Sequence, residues 1–286
     1  MREDRKEIIL GLWFNDKKYA KLPALQIQGV KAKRIFNIKE ALTCTFILHK
    51  VFDLDMEISE SDMELLKTHN GIIDPIERVK ILSDRRKMIK KVASFLKKFN
   101  MAQFPPTLET AASYPEDFFP AIAKPLSACS DPHSHNLHLV YCPQQLSQLP
   151  LAPGSYILQK FIRHSRLLIK AYVIGKNLDL VMKASIGLDC FSEGEAVLFD
   201  SQSLKGLEKP DSGAETIGRK RYNEIYEMAM KIREFLGLEL FGLDFIIEEL
   251  SNNIYLVDVN YFPGYSGVDD LSRKLSEMLS LKILNK

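Results

Sequence analysis

The chain has 286 residues, 46% of them hydrophobic and 27% charged, a balance that suits a soluble globular protein with room for more than one lobe. Its 39 basic and 37 acidic residues leave a formal net charge of +2, so global charge announces no nucleic-acid partner, and an anionic ligand would need a local basic cluster. No apolar run approaches the ~20 residues of a membrane span, the charged start from Met1 to Glu7 is no signal peptide, and four cysteines without CxxC spacing (Cys44, Cys129, Cys142, Cys190) fit a reducing, cytoplasmic setting.

In chain order, Ile8 to Phe14 reads as a buried strand that runs into the polar turn Asn15-Asp16-Lys17-Lys18. Thr45 to Leu48 is a second short strand, followed by His49-Lys50. Basic residues just past the carboxyl ends of parallel strands lie where open α/β sheets bind ligands. Each lysine alone reads equally as a solvated charge. Ser59 to His69 suits a short helix, with Ser61 and Glu64 spaced as a capping box. Ile76 to Asn100 is a long helical pattern that Ser83-Asp84 divides, leaving Arg85 near the second start. Gln103 to Leu108, with two prolines, reads as a linker.

Phe119 to Lys124 and Leu137 to Tyr141 are predicted strands around a small-residue loop, and the first carries Lys124. Tyr156 to Ile162, Leu167 to Ile174 with Lys170, and Leu178 to Met182 form an antiparallel sheet pattern with basic residues among apolar ones. Gln159 in the first of these suits an adenine edge, and equally a satisfied core amide. Phe191 to Asp211 reads as polar and irregular. Arg219 to Gly237 is an amphipathic helix with Ile225, Met228, Ala229, Ile232 and Leu236 at helical spacing and Gly237 as terminator.

Leu243 to Ile247 and Ile254 to Val259 read as two buried strands joined by a turn at Ser251-Asn252-Asn253. A hairpin centred on Asn252 puts Asp244 opposite Asn260, on the same face as Asp258. Three polar side chains on an apolar hairpin carry a desolvation cost that a cation would remove. Hard oxygen donors without thiolate or imidazole suit Mg²⁺. Phe262 to Gly267 is a tight loop whose glycines allow close approach to a ligand, and Ser272 to Leu284 is a closing helix.

A strand lysine, a small-residue loop, a second strand lysine and an Asp…Asp-x-Asn hairpin together resemble the ATP-grasp enzymes. Within them the chain resembles the inositol-tetrakisphosphate 1-kinase family, also called inositol trisphosphate 5/6-kinases. The motifs that carry this are LWFNDKKYAKL at 12–22, ILHK at 47–50, IIDPIERVKILSDRRKM at 72–88, IAKPL…SH at 122–135 and ILQKFIRH at 157–164. They continue with IKAYVIG at 169–175, FGLDF at 241–245 and VDVNYFPGYSG at 257–267. The resemblance implies an α/β architecture with an amino-terminal α/β lobe over 1–102 and an ATP-grasp region over 103–286. That region divides into a central lobe (103–186) and a metal-binding lobe (187–286).

It also implies roles. Arg85, Lys124, Gln159, Ser185 and Ser201 would bind ATP, with Lys170 and Asp258 on the nucleotide side as well. Lys18, Lys50, His135 and Lys170 would hold an inositol phosphate, with Asn260 and Gly264 facing the ring. Asp244, Asp258 and Asn260 would bind Mg²⁺, and His135 and Lys170 would stand nearest the chemistry. Three positions depart from the family's usual residues: Cys129-Ser130 without the loop glycine, Arg163 for asparagine, and Lys183 for arginine. The expectation is a monomeric cytoplasmic kinase that moves the γ-phosphoryl of ATP to a hydroxyl of an inositol tris- or tetrakisphosphate. The rival expectations are an ATP-grasp carboxylate–amine ligase and a non-catalytic inositol phosphate sensor.

Overall fold

The computed structural model describes residues 7–54, 58–109, 114, 115, 117–128, 134–187, 196–200 and 217–284. Ser201 and the Cys129-Ser130 pair lie outside the described residues.

The amino-terminal sheet is parallel. Strand β1 (Ile8–Trp13) lies between β2 (Val30–Arg34) and β3 (Phe46–His49), and β4 (Ile72–Ile73) lies beyond β3. Short helices α1 (Asp16–Tyr19) and α2 (Ile38–Ala41) follow β1 and β2, capped by the side chains of Asn15 and Asn37. The helix expected near Ser59 is α3 (Glu60–Thr68). Its cap is Ser59, which accepts from the Asp62 amide; Ser61 already lies in the first turn and bonds the Ser59 hydroxyl. The long helical pattern does divide at Ser83-Asp84, into α4 (Ile76–Leu82) and α5 (Arg85–Lys97), and Asp84 caps α5 through the Lys87 amide.

The second sheet is antiparallel, in the order β11-β7-β6-β8-β5. It holds β5 (Thr107–Leu108), β6 (Ala121–Pro125), β7 (Asn136–Val140), β8 (Tyr156–Lys160) and β11 (Val197–Asp200). Two expectations change here. The stretch 103–108 is no mere linker: β5 pairs with β8, because Thr107 follows the prolines and its amide is free for the ladder. The polar region after 191 also contributes a strand, β11, on β7.

The third sheet runs β10-β9-β12-β13. It contains β9 (Leu167–Ile174), β10 (Asn177–Ala184), β12 (Leu240–Ile247) and β13 (Ile254–Tyr261). The expected single sheet over 156–182 is therefore two, since β8 pairs with β6 while β9 and β10 pair with each other. Helix α6 (Arg219–Leu236) presents Ile225, Met228, Ala229, Ile232 and Leu236 to this sheet, all buried. Gly237 ends it with φ 64°, a conformation that costs any residue with a Cβ. Helix α7 (Leu271–Leu284) closes the chain. One core joins Leu10, Leu12, Phe46 and Leu48 of the parallel sheet to Ala171, Val173, Leu243 and Phe245 of the third sheet. Each fully buried Val, Leu or Phe among them contributes about 1.5–3 kcal/mol. Among the described residues no helix is long and apolar enough to cross a membrane.

Candidate functional site

The three sheets border one cleft of about 1130 Å³. Lys18, Lys50, Arg85, Lys124, His135, Gln159, Lys170, Ser185, Asp244, Asp258, Asn260 and Gly264 all line it, which is every described residue that the sequence assigned a role. Among the described residues, nine Lys and Arg side chains line it against three Asp, an excess of six. The basic cluster that global charge did not announce is concentrated here.

The face built by the third sheet carries the acids. Lys170 on β9 pairs across the ladder with Asp244 on β12, and Asp244 pairs with Asp258 on β13. The three charges therefore stand in one row on one face. Asp244 faces Asp258, where a turn centred on Asn252 had put it opposite Asn260; Asn260 faces Gly242. The turn falls earlier, with the Glu248 amide bonded to the Asn253 carbonyl, and the ladder shifts between Asp244 and Phe245, leaving Val257 unpaired. The net displacement is even, so the expected face survives. The Val257 carbonyl, left free by the ladder, accepts from Lys124 Nζ at 2.9 Å.

Lys170 Nζ donates to both oxygens of Asp244, at 2.9 and 3.1 Å. Burial raises the Asp244 carboxyl above its usual range, while Lys170 and Lys124 pull it back and the Asp258 charge adds to the rise. Burial also lowers the Lys170 ammonium, but Asp244, joined by Tyr172 and Asp258, raises it, and the net shift is upward. Lys124 is brought down to about 8, chiefly by burial, with Asp258 opposing and the Arg85 charge adding to the fall. Arg85 is 3% exposed. It is aimed by three carbonyls, those of Pro125 at 2.6 Å, Ser127 at 3.0 Å and Ser134 at 3.0 Å. Among the described residues its Nε has no hydrogen-bond partner, and it lies 3.9 Å from Asp258 Oδ2.

The opposite end of the cleft carries lysines on the short segments that follow the parallel strands. Lys18 follows β1 on α1 and donates to the carbonyls of Phe262 and Pro263, at 2.9 and 2.6 Å. Its ammonium lies 4.0 Å from the centre of the Phe262 ring. Burial first, then the neighbouring Lys50, bring it down to about 7, against the pull of Asp53. Lys50 pairs with Asp53 at 2.6 Å. Gly264 presents bare backbone, and a Cβ there would meet no atom within 4 Å. On β8, Gln159 is buried and its amide reaches the Thr107 hydroxyl at 3.3 Å, a weak bond for a buried amide.

Sequence reasoning passed over His164. It lines the cleft, with Nδ1 2.7 Å from the Ile162 carbonyl and Nε2 2.8 Å from Ser185 Oγ. A carbonyl only accepts, so Nδ1 carries the proton and Nε2 accepts from the serine. Its place at the end of ILQKFIRH was the available signal. Lys17, Lys21, Lys160 and Lys183 also line the cleft. Among the described residues no three His, Cys, Asp or Glu side chains gather as a metal cluster, so the candidate donor set remains two carboxylates and the amide oxygen of Asn260. An all-oxygen set of that size suits a cation that keeps waters and phosphate oxygens in its remaining positions.

A family model described as the inositol 1,3,4-trisphosphate 5/6-kinase ATP-grasp domain matches residues 95–280. The inositol-tetrakisphosphate 1-kinase of Xenopus laevis is 24% identical over 91% of this chain and 75% of its own length. The inositol-tetrakisphosphate 1-kinase 2 of Glycine max is 32% identical over 73% of this chain and 71% of its own. Among solved structures, a D-alanine–D-alanine ligase from Bacillus anthracis superposes with a TM-score of 0.61 at 13% identity, covering 97% of this chain and 96% of that one. An ATP-grasp RimK domain protein from Sphaerobacter thermophilus gives 0.57 at 14%, covering 96% and 99%. These two likenesses show the fold alone.

Proposed function

The chain belongs to the inositol 1,3,4-trisphosphate 5/6-kinase family of ATP-grasp proteins, and from that premise we propose that it transfers the γ-phosphoryl group of ATP to a free hydroxyl of an inositol tris- or tetrakisphosphate. The observation that carries this reading is the cationic excess of the cleft, nine Lys and Arg against three Asp among the described residues. One carboxylate substrate needs far less positive charge, whereas ATP and a polyphosphorylated ring together need about that much.

Phosphoryl transfer asks a protein for positioning and for neutralisation of spreading charge more than for covalent help. In this reading Arg85 and Lys124, aimed by backbone carbonyls, hold the nucleotide phosphates. Gln159 and Ser185 hold the adenosine end, with Ser185 oriented by His164. Lys18, Lys50, His135 and Lys170 grip the ring phosphates, and Gly264 leaves room for the ring itself. Asp244, Asp258 and Asn260 would hold Mg²⁺, which supplies charge neutralisation to the phosphate oxygens when bound. Lys170 then has two duties, since it already neutralises Asp244 and stands beside the acceptor. The proposal extends to the lobe boundaries expected from the sequence and to a cytoplasmic monomer. The free thiols of Cys44 and Cys142 accord with a reducing compartment.

The test is turnover with ATP and Mg²⁺ against a panel of inositol phosphates, with products separated by isomer. Conversion of a tris- or tetrakisphosphate is expected. ADP formation only with an amino acid or peptide, with an acyl phosphate trapped by hydroxylamine, would replace the kinase with the ligase. Tight binding of inositol phosphates without ADP formation would replace it with the sensor.

A further inference from the structure

The hairpin strand β13 leaves the third sheet at Tyr261, directly after Asn260, and one buried bond at this exit and two at the start of β12 tie the hairpin to the amino-terminal segments. Tyr261 Oη donates to the His49 carbonyl at 3.1 Å, and the two rings lie 5.7 Å apart. His49 is the last residue of β3 and precedes Lys50. Its Nε2 donates to the Asp74 carbonyl at 2.8 Å, and its Nδ1 faces the Val51 amide at 3.4 Å. The Asp74 carboxylate accepts from the backbone amides of Glu239, at 2.6 Å, and Leu240, at 3.0 Å. Leu240 begins β12, the strand of Asp244. Lys18 closes the same joint by donating to the next two carbonyls, those of Phe262 and Pro263. The β13 end is thus hydrogen-bonded to the segments that carry Lys18 and Lys50, and the β12 end to Asp74, whose carbonyl is bonded to His49.

A joint of this kind does more than hold two sheets together. The shared apolar core already does that. A directional bond from Tyr261 to the residue before Lys50 ties that segment to the strand that carries Asp258 and Asn260, and a ligand gripped from both sides is sensitive to displacements of about 1 Å. We infer that Tyr261 is a positioning residue: its hydroxyl sets the end of β3, and so Lys50, against the strand that carries Asp258 and Asn260. This inference rests on the kinase reading for its functional consequence, while its structural half can be tested without turnover.

Tyr261→Phe keeps the ring and removes the bond. Tyr222→Phe removes a tyrosine hydroxyl that reaches the Leu178 carbonyl at 3.4 Å, away from the cleft, and serves as the control. In Tyr261→Phe, amide exchange in the peptide covering 46–54 is expected to quicken. KM for inositol 1,3,4-trisphosphate is expected to rise about tenfold while KM for ATP stays within about twofold. Tyr222→Phe is expected to leave both measurements unchanged. Unchanged exchange at 46–54 would overturn the inference. So would quickened exchange with an unmoved KM, or equal loss in both variants, because each would reduce Tyr261 to a packing residue. If the wild type converts no inositol phosphate, the kinase reading fails by itself, and the exchange result still decides whether Tyr261 holds this segment.

Discussion

The two ends of the cleft hold their charges in different ways. On the third sheet, Lys170, Asp244 and Asp258 stand on adjacent strands, placed by the ladder, and each charge faces another. At the amino-terminal end, Lys17, Lys18, Lys21 and Lys50 sit on the segments that follow β1 and β3, and Lys17 and Lys21 are exposed. A ladder fixes side-chain positions through every hydrogen bond of the sheet. A lysine outside a ladder is a point charge on a long stem, set by the few bonds its own side chain makes. Opposite charges in a partly buried row also interact more strongly than exposed ones, which water screens. In the proposed reading the ladder suits charge neutralisation at the reacting atoms, and the amino-terminal lysines suit the outlying phosphates of a substrate.

This division can be broken by substitution. The largest effect belongs to the ladder. Asp258→Asn is expected to lower kcat by about 10³-fold, with the fold intact by circular dichroism. A variant that kept more than a tenth of the turnover would remove Asp258 from the chemistry. Lys18→Ala should act on the other quantity, raising KM for the inositol phosphate about tenfold to a hundredfold while kcat changes little. A fall in kcat alone would erase the division.

Lys18 also sharpens the comparison through pH. Its ammonium is held at about 7 by burial and by Lys50, so it loses its charge as pH rises above 7. Gripping a polyanion needs the charged form. kcat/KM for the inositol phosphate should therefore fall above about pH 7, and Lys18→Arg, charged throughout, should flatten that limb. An unchanged limb in Lys18→Arg would assign it to another group.

The smallest effect is expected far from both ends. Gly237→Ala forces a Cβ into φ 64° and should cost about 1 kcal/mol in denaturant unfolding, with turnover at 25 °C unchanged.

Much of this was legible in the sequence where local rules decide. The helix over 219–236 and its glycine terminator follow from periodicity, and the break before Arg85 follows from the capping residue Asp84. The acidic face of the hairpin was legible because side chains alternate along a strand. Its register was not, since neither the position of the turn nor the unpaired Val257 leaves a mark in the alternation. The allocation of β8 to one sheet and β9 to another was hidden for a different reason: neighbouring strands in sequence usually pair. Strand β2, VKAKR, lies at a sheet edge with partly exposed residues and lacks the apolar run that betrays a buried strand. The carbonyls that aim Arg85 come from 40, 42 and 49 residues away, and no local rule could foretell them.

The most direct test of the kinase reading follows the γ-phosphoryl group itself. The protein would be incubated with γ-labelled ATP, Mg²⁺ and inositol 1,3,4-trisphosphate, and the label followed. Label in a tetrakisphosphate product, equal to the ADP formed and lost in Asp258→Asn, is the expected result. Label released only as inorganic phosphate, with the inositol phosphate unchanged, would contradict it.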